Sequence, residues 1–229
     1  MKTLLERGKI KIKSIIFGKY SVLSYSQEGE DLILQELFMH QQNGFFVDIG
    51  AHHPQRFSNT YLLYLKGWRG INIDAMPGSM NSFKKIRPKD INLEYAVSDI
   101  EEELTYYVFN EPALNGFSKE LKEERDGSKG YKVISEKLIK TRTLEWILDN
   151  YLPAGQVIDL LTIDVEGLDM KVLLSNNWLT YKPIYLIIED LNFDIENTVQ
   201  SEMYLFLKEK NYKLIAKTNN NLIFKHFFE

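Results

Sequence analysis

The stretch FFVDIGAHHP, residues 45–54, runs apolar residues into Asp48, turns at Gly50 and then sets two histidines and a proline. A short apolar run bounded by a turn is typical of a strand buried on both faces of a parallel sheet. A glycine directly after such a strand allows a tight turn, so that a ligand can approach backbone N–H groups. The stretch therefore predicts a ligand-binding turn at the carboxyl end of the first strand.

Buried strands and amphipathic helices alternate along the rest of the chain. The predicted strands are 45–51, 68–75, 91–99, 103–110, 158–167 and 183–191, followed by two strand-like runs joined by the turn TNNN at 218–221. Parallel βαβ units with right-handed crossovers and a C-terminal antiparallel hairpin predict an α/β fold, a doubly wound three-layer sandwich. Such folds bind ligands beyond the carboxyl ends of their strands.

The length of 229 residues and the 44% hydrophobic content predict a single domain. We expect this domain to span residues 25–229, with a surface insertion of some helical content at about 110–140, where the apolar periodicity fades. Residues 1–24 are predicted to form a basic helical extension that either packs on the domain or lies weakly on an acidic membrane surface. No apolar run here is long enough for a signal or transmembrane segment.

Charge and cysteine content narrow the class of protein. The 28 basic and 32 acidic residues give a formal charge of -4, so no overall positive field favours nucleic acid as a partner. The absence of cysteine excludes disulfides, thiolate zinc sites and cysteine nucleophiles. This composition fits a cytoplasmic enzyme. We further expect a small-molecule substrate, and the enzyme could form homo-oligomers.

The turn after the first strand lacks the features of the commonest nucleotide sites. Gly50 is followed by Ala51, His52, His53 and Pro54, so the glycines of a dinucleotide fingerprint are absent, and no phosphate-binding loop closes on Lys and Ser or Thr. S-adenosylmethionine has no pyrophosphate and needs only an acid and a turn at the first strand and an acid at the second. Three strand ends supply such groups in the right order, although each acid could alone be a helix cap: Asp48 with Gly50, Asp74, and Ser98 with Asp99.

Three motifs resemble the FkbM family of S-adenosylmethionine-dependent methyltransferases. They are YSQEGEDLIL (25–34), VDIGAHHPQRFSNTYLLYLKGWRGINIDAMPGSM (47–80) and TIDVEGLDMKVL (162–173). The resemblance implies a Rossmann-like sandwich of the class I methyltransferase type and O-methyl transfer, commonly to a sugar hydroxyl. It also implies a nucleotide-linked sugar as substrate in surface polysaccharide biosynthesis. The expected cofactor-binding residues are Gln27, Asp48, Gly50, Ala51, Asp74, Ala75, Ser98 and Asp99.

Four carboxylates close two strands that should be neighbours in the sheet: Asp164, Glu166, Glu189 and Asp190. Such a cluster repels itself unless it holds a divalent cation, a buried Arg or Lys, or the sulfonium of the cofactor. Metal-dependent sugar O-methyltransferases look similar, which implies Asp164, Glu189 and Asp190 as ligands of Mg²⁺ or Mn²⁺. The alternative is that Glu189 and Asp190 cap a helix or pair with an arginine.

Proton transfer and substrate binding are assigned to residues near this edge. The candidate catalytic residues are His53, Glu166 and Asp164, and the candidate substrate-binding residues are His52, Asn59, Asn110 and Asn115. A neutral imidazole at the first strand end could accept a hydroxyl proton or orient the substrate, whereas His52 could equally be structural. Two other functions remain open: a lipid or small-molecule acceptor, and a non-catalytic partner of a glycosyltransferase.

Overall fold

The computed structural model of the chain describes residue 18 and residues 20–227. Strands and helices alternate in this part of the chain. The strands are β1 (Phe45–Ile49), β2 (Arg69–Asp74), β3 (Ile91–Glu94), β4 (Ala96–Val97), β5 (Glu103–Phe109), β6 (Val133–Arg142), β7 (Leu160–Ile163), β8 (Tyr185–Glu189), β9 (Tyr212–Lys217) and β10 (Asn221–His226). The helices are α1 (Glu30–Leu37), α2 (Tyr61–Lys66), α3 (Met80–Ile86), α4 (Lys119–Arg125), α5 (Leu144–Tyr151), α6 (Asp169–Leu174) and α7 (Glu202–Glu209), with short 3₁₀ turns at Pro112–Leu114 and Thr198–Gln200.

Seven of these strands form the main sheet, in the order β3-β2-β1-β7-β8-β10-β9. Neighbours from β3 through β8 pair in parallel, and β10 runs antiparallel to both β8 and β9. The predicted α/β class, with a mostly parallel sheet and a C-terminal antiparallel hairpin, is confirmed. The strand order reverses between β1 and β7, where open sheets of this kind bind ligands.

Helices cover both faces of the sheet because successive strand residues point to opposite sides. Val47 of β1 packs in a large core cluster with apolar residues of α5, α6 and α7. Its neighbour Phe46 packs in a second cluster with residues of α1 and α2. The two clusters make the outer interfaces of a three-layer sandwich.

A second, three-stranded sheet is inserted between β3 and α5. Its order is β4-β6-β5, with β4 parallel and β5 antiparallel to β6. The region around 110–140 contains the helix α4, and it also contains most of the ten-residue strand β6, which the sequence analysis did not predict. Half of the residues of β6 are exposed and only Thr141 is buried. The strand therefore lacks the alternation between buried apolar and exposed polar residues that is the usual signal of a strand.

None of the helices in the described ranges combines the length and the hydrophobicity needed to cross a lipid bilayer. The predicted basic helical extension spans residues 1–24, of which residues 1–17 and 19 lie outside the described residues and residues 18 and 20–24 form no helix. The proposed contact of this extension to a membrane surface is likewise untested by the described residues.

Candidate active site

A cavity of about 340 Å³, here called the first cavity, opens at the carboxyl ends of β1, β2, β7 and β8. The parallel register brings the residues at the ends of three of these strands to one edge of the sheet. These residues are Gly50, Asp164 and Glu189, and all three line the cavity. Its volume and its position at the reversal of strand order are typical of a small-molecule site.

Gly50 allows β1 and β7 to approach closely at this edge. Its φ of 81° lies in the left-handed region, and a Cβ atom there would lie 1.6 Å from the backbone oxygen of Asp164. The N–H of Gly50 donates to the carbonyl of Ile73 in β2 at 2.9 Å. Only glycine fits between these strands, so the turn leads the chain directly along the floor of the cavity.

Asp74 ends β2 and lines the first cavity. Its two oxygens accept hydrogen bonds from the peptide N–H groups of His52 at 3.0 Å and Met76 at 2.8 Å. Burial raises the pKa of Asp74 to about 6, despite the lowering effect of these hydrogen bonds. Because each carboxylate oxygen has a second lone pair, Asp74 can still accept hydrogen bonds from a pair of ligand hydroxyls.

Three carboxylates that line the first cavity meet on the other side of β1 from Asp74, beyond the ends of β7 and β8. Asp164, Glu166 and Glu189 each offer an oxygen, and these oxygens lie within 4.8 Å of one another. Arg125, from α4 of the insertion, donates from Nη1 to Oε2 of Glu166 at 2.6 Å. Oδ1 of Asp164 is buried and has no hydrogen-bond partner among the described residues. With three acids and one guanidinium, this cluster favours a further cation.

Burial controls the protonation of the acidic cluster. It raises the pKa of Asp164 well above its usual range, and the negative charges of Glu189 and Glu166 raise it further. It also raises the pKa of Glu189 to about 8, with Glu166 as the next contributor. The pKa of Glu166 is raised by burial as well, although Arg125 partly offsets this rise. At neutral pH the cluster therefore retains a proton that a bound cation would displace.

The loop after β1 is held by a buried arginine. Arg87 is fully buried and donates to Oγ of Ser58 at 2.6 Å and to the carbonyl of Pro54 at 2.9 Å. It also donates to Oγ1 of Thr60 at 2.8 Å, and this hydroxyl in turn donates to Oδ2 of Asp48 at 2.7 Å. Asp48 is therefore part of the support of the loop and lies behind the cavity wall.

The model of the methyltransferase FkbM domain matches residues 48–214, which is most of the chain. The chain belongs to the FkbM methyltransferase family. No curated protein sequence matches it. Among solved structures, it is similar to the TehB-like S-adenosylmethionine-dependent methyltransferase from Corynebacterium glutamicum, with 9% identity over 97% of each chain and a TM-score of 0.41. Family membership makes the protein an S-adenosylmethionine-dependent methyltransferase.

The expected cofactor-binding residues of this FkbM methyltransferase fall into two groups. Those that line the first cavity are Gln27, Gly50, Asp74 and Ala75. Asp48 and Ala51 are buried without lining it, and Ala51 packs instead beside Met80 and Phe83. Four of the expected residues can therefore contact a ligand in the first cavity, whereas Asp48 and Ala51 support the surrounding structure.

Ser98 and Asp99 do not reach the first cavity. After β3 the chain leaves the main sheet, and β4 pairs with β6 of the second sheet. β3 ends at Glu94, and the residues of this segment that line the cavity are Tyr95–Val97, which directly precede the expected Ser98 and Asp99. Ser98 is fully buried and donates to Asp99 at 3.1 Å, and neither residue lines the first cavity.

Asp190 lies outside the acidic cluster, contrary to the expected metal triad. Its carboxylate accepts hydrogen bonds from Oγ of Ser201 at 2.7 Å and from the N–H of Asn192 at 3.2 Å. Adjacent residues at a strand end point to opposite sides, so Glu189 and Asp190 cannot both face the cavity. Glu166, from the loop after β7, takes the third position.

The two histidines have different environments. Nδ1 of His53 accepts hydrogen bonds from the N–H groups of Gln55 at 3.1 Å and Arg56 at 3.0 Å. The neutral ring must then carry its proton on Nε2, which makes His53 a donor. This geometry disfavours His53 as a proton acceptor and fits the orienting role that the sequence analysis also considered.

His52 lies where two cavities meet. Its φ of 50° is unusual for a residue other than glycine, and Nε2 is buried without a hydrogen-bond partner among the described residues. Burial lowers the pKa of His52 to about 4, so the ring is neutral at physiological pH. This unpaired buried nitrogen, in a residue that lines both cavities, is a candidate partner for a substrate hydroxyl.

A second cavity of about 780 Å³ adjoins the first. It lies between α3 with its preceding loop and the pair β5–β6, and it shares His52, Tyr106 and Asn115 with the first cavity. Of the other expected substrate-binding residues, Asn110 lines the second cavity. Asn59 lines neither and donates to Oγ1 of Thr162 at 3.3 Å.

Sequence reasoning missed three residues of the site. Arg125 pairs with Glu166, and Arg87 supports the loop after β1. Tyr106, in the predicted strand 103–110, is buried yet lines both cavities. No local pattern marks a basic residue whose partner lies 41 positions away, as Arg125 and Glu166 do. A single arginine in KKIRP (84–88), next to exposed lysines, likewise gives no sign of burial.

Proposed function

We propose that this methyltransferase methylates a hydroxyl of a sugar that is linked to a nucleoside diphosphate. The reaction would take place in the cytoplasm, and the methylated sugar would be used to build surface polysaccharide. The observation that carries the proposal is the junction of the two cavities, which His52, Tyr106 and Asn115 line together. Three hydrogen-bonding side chains at one place suit a polar acceptor with several hydroxyls. The resemblance to sugar-modifying members of the family supports the same acceptor class.

S-adenosylmethionine supplies the methyl group, bound to a positively charged sulfur. In the first cavity, Asp74 would accept hydrogen bonds from the ribose hydroxyls, and the turn at Gly50 would leave room for the cofactor beside the backbone. Asp164 and Glu189 would favour the positive charges at the methionine end. A cavity with one acid at the end of β2 and an acidic cluster beyond β7 and β8 fits a cofactor that has hydroxyls in one part and cationic groups in another.

Methyl transfer also requires loss of the hydroxyl proton. Glu166 and Asp164 are the proposed acceptors, because both line the first cavity. Arg125 partly offsets the rise that burial causes in the pKa of Glu166, which favours its ionised form, whereas Asp164 would become an acceptor when a bound cation displaces its proton. Arg125 holds Glu166 in a fixed position. His52 and His53 would hold the substrate, His52 through its unpaired Nε2 and His53 through its Nε2–H.

A divalent cation, Mg²⁺ or Mn²⁺, is proposed as a second cofactor. Asp164, Glu166 and Glu189 provide the oxygen ligands that these ions prefer, with Glu166 in place of the expected Asp190. When bound, the ion would supply positive charge that stabilises a forming alkoxide. Calorimetry with Mn²⁺ tests this directly: Asp164→Asn should abolish binding, and chelator should stop turnover. Full activity in chelator would leave proton removal to the carboxylates alone.

The acceptor is tested by incubating the enzyme with S-adenosylmethionine and a panel of nucleotide sugars, with mass detection of methyl gain. We expect one sugar class to be methylated. The panel should include lipid-linked sugars and small hydroxylated metabolites, the alternative acceptors. Methylation of one of these, with no reaction of any nucleotide sugar, would overturn the proposal while leaving the enzyme a methyltransferase.

A further inference from the structure

The two cavities differ in charge. The first is lined by more acids than bases: Asp74, Glu111, Asp164, Glu166 and Glu189 against Arg56 and Arg125, together with the uncharged His52. Among the residues that line the second cavity, Arg56 and Lys85 face a single acid, Asp74. Arg56 and Asp74 line both cavities, so the difference in charge comes from Lys85, which lines only the second cavity, and from Arg125 and four acids, which line only the first. An acidic cavity suits a cationic cofactor, and the basic cavity beside it suits an anionic ligand.

The positively charged and N–H donor side chains of the second cavity have N–H groups that are not used in hydrogen bonds with the described residues. Lys85 is exposed and forms no ion pair with the described residues. The guanidinium of Arg56, stacked 4.3 Å from the ring centroid of Phe57, uses Nη1 to bind Glu111 and keeps its other N–H groups. His53 adds an Nε2–H donor, because its Nδ1 is occupied by peptide N–H groups. Two donors from the loop after β1 and one from α3 thus line the same cavity.

The remaining wall of the second cavity can accommodate a large ligand. Tyr106 and Phe109 of β5 offer aromatic surface, and Met76 and Ile86 add apolar contacts. The volume of about 780 Å³ exceeds what a single monosaccharide needs. The cavity therefore suits a ligand with both an anionic and an apolar or aromatic part.

We propose that the second cavity binds the phosphate or diphosphate of the methyl acceptor, with Arg56, Lys85 and His53 as its contacts. This inference rests on the proposed function and adds how the acceptor is recognised. The sugar would then extend toward His52 at the junction, where its hydroxyl meets the first cavity. Nucleotide-linked and lipid-linked sugars share the diphosphate, so either can carry the acceptor.

Glu111 competes with the proposed anionic ligand for Arg56. It lies 2.9 Å from Nη1 of Arg56, and both side chains are partly exposed, at 32% and 45%. Ion pairs this exposed contribute little to stability, so a diphosphate can replace the carboxylate. Removing either partner breaks the same ion pair but should have opposite effects: Arg56→Gln weakens anion binding, and Glu111→Gln strengthens it.

The test is calorimetric titration with inorganic pyrophosphate, uridine diphosphate and geranyl diphosphate, on the protein with and without S-adenosylhomocysteine. We expect Arg56→Gln to weaken binding about tenfold and Lys85→Gln about threefold, because charge-assisted hydrogen bonds at partly exposed positions contribute only modestly to the binding free energy. Lys84→Gln is the matched control, because Lys84 lies on the same helix, is exposed and lines neither cavity. It should change binding less than twofold, and Glu111→Gln should tighten it by about two- to threefold.

The outcomes separate this proposal from the preceding one. Tighter binding of uridine diphosphate identifies a nucleotide carrier, and tighter binding of geranyl diphosphate identifies a lipid carrier; both support the diphosphate site. Binding of S-adenosylhomocysteine without any diphosphate binding overturns the site alone. Equal losses for Lys85→Gln and Lys84→Gln would also overturn it, since the effect would then be one of net charge. Diphosphate binding without S-adenosylhomocysteine binding would overturn the methyltransferase assignment and leave the site.

Discussion

Replacing Gly50 by alanine should separate β1 from β7 at the floor of the active site. The added Cβ would lie 1.6 Å from the carbonyl oxygen of Asp164, whereas Cβ atoms in proteins essentially never approach other atoms within 3.0 Å. Because this oxygen belongs to the backbone, it cannot rotate away as a side-chain atom could. A φ of 81° itself costs alanine about 1–2 kcal/mol. A shift of the two strands would also break the bond from Asp164 N–H to the carbonyl of Ile49, now 3.0 Å long, and the bond from Gly50 N–H to Ile73. At about 1 kcal/mol each, the total is about 3–4 kcal/mol.

Gly155→Ala provides the matched control for this change. Gly155 has a φ of 72° and no atom within 4 Å of an added Cβ, so its substitution should cost only the 1–2 kcal/mol of the backbone conformation. Urea unfolding of both variants gives the free energies, and calorimetry with S-adenosylhomocysteine gives binding. We expect Gly50→Ala to be the less stable by about 2 kcal/mol and to lose binding. Equal destabilisation with binding retained would refute the close contact between the strands.

Three further predictions follow from the charges around the site. Arg87→Met should destabilise the protein by about 3–5 kcal/mol in urea, because it leaves Asp48 buried without a cation; Arg87→Lys should recover part of this, and equal effects would argue against the network. The pKa of Glu189 is raised from 4.5 to about 8, so its contribution to stability is present below pH 4.5 and is lost as the pH rises to about 8. Glu189→Gln should reduce the fall in the free energy of unfolding between these pH values, measured by urea unfolding at each pH. An unchanged pH dependence would show that another group causes the fall. Arg125→Gln should tighten Mn²⁺ binding severalfold in calorimetry, because it frees Glu166, whereas weaker binding would show that Arg125 supports the cation site.

The sheet and the floor of the first cavity could be predicted from the sequence because both depend on local signals. A buried strand followed by Gly50, and a second strand ending at Asp74, place these residues at one edge of any parallel sheet in which the strands are neighbours. The acid at β8 follows from the same rule. What failed was side-chain direction: the alternation along a strand admits only one of Glu189 and Asp190 to the cavity, and the expected triad used both.

The rest of the site depends on contacts distant in sequence. Arg125 reaches Glu166 only because the insertion folds back over β7, and the weak apolar pattern of β6 hides the second sheet that carries this insertion. The chain leaves the main sheet after Glu94, whereas the predicted strand continues to residue 99, and this early exit removes Ser98 from the cavity. Neither event leaves a periodic signal in the sequence.

The central claim, that the first cavity binds S-adenosylmethionine through Asp74, is tested most directly by calorimetric titration with S-adenosylhomocysteine. The wild-type protein should bind one molecule per chain, and Asp74→Asn should weaken binding about 10- to 100-fold, as expected when hydrogen bonds from ribose hydroxyls to a charged acceptor are lost. Asp99→Asn is the control, because Asp99 lies outside the cavity, and it should bind as the wild type does. A folded wild-type protein that does not bind, or an Asp74→Asn variant that binds as well as Asp99→Asn, would contradict the claim.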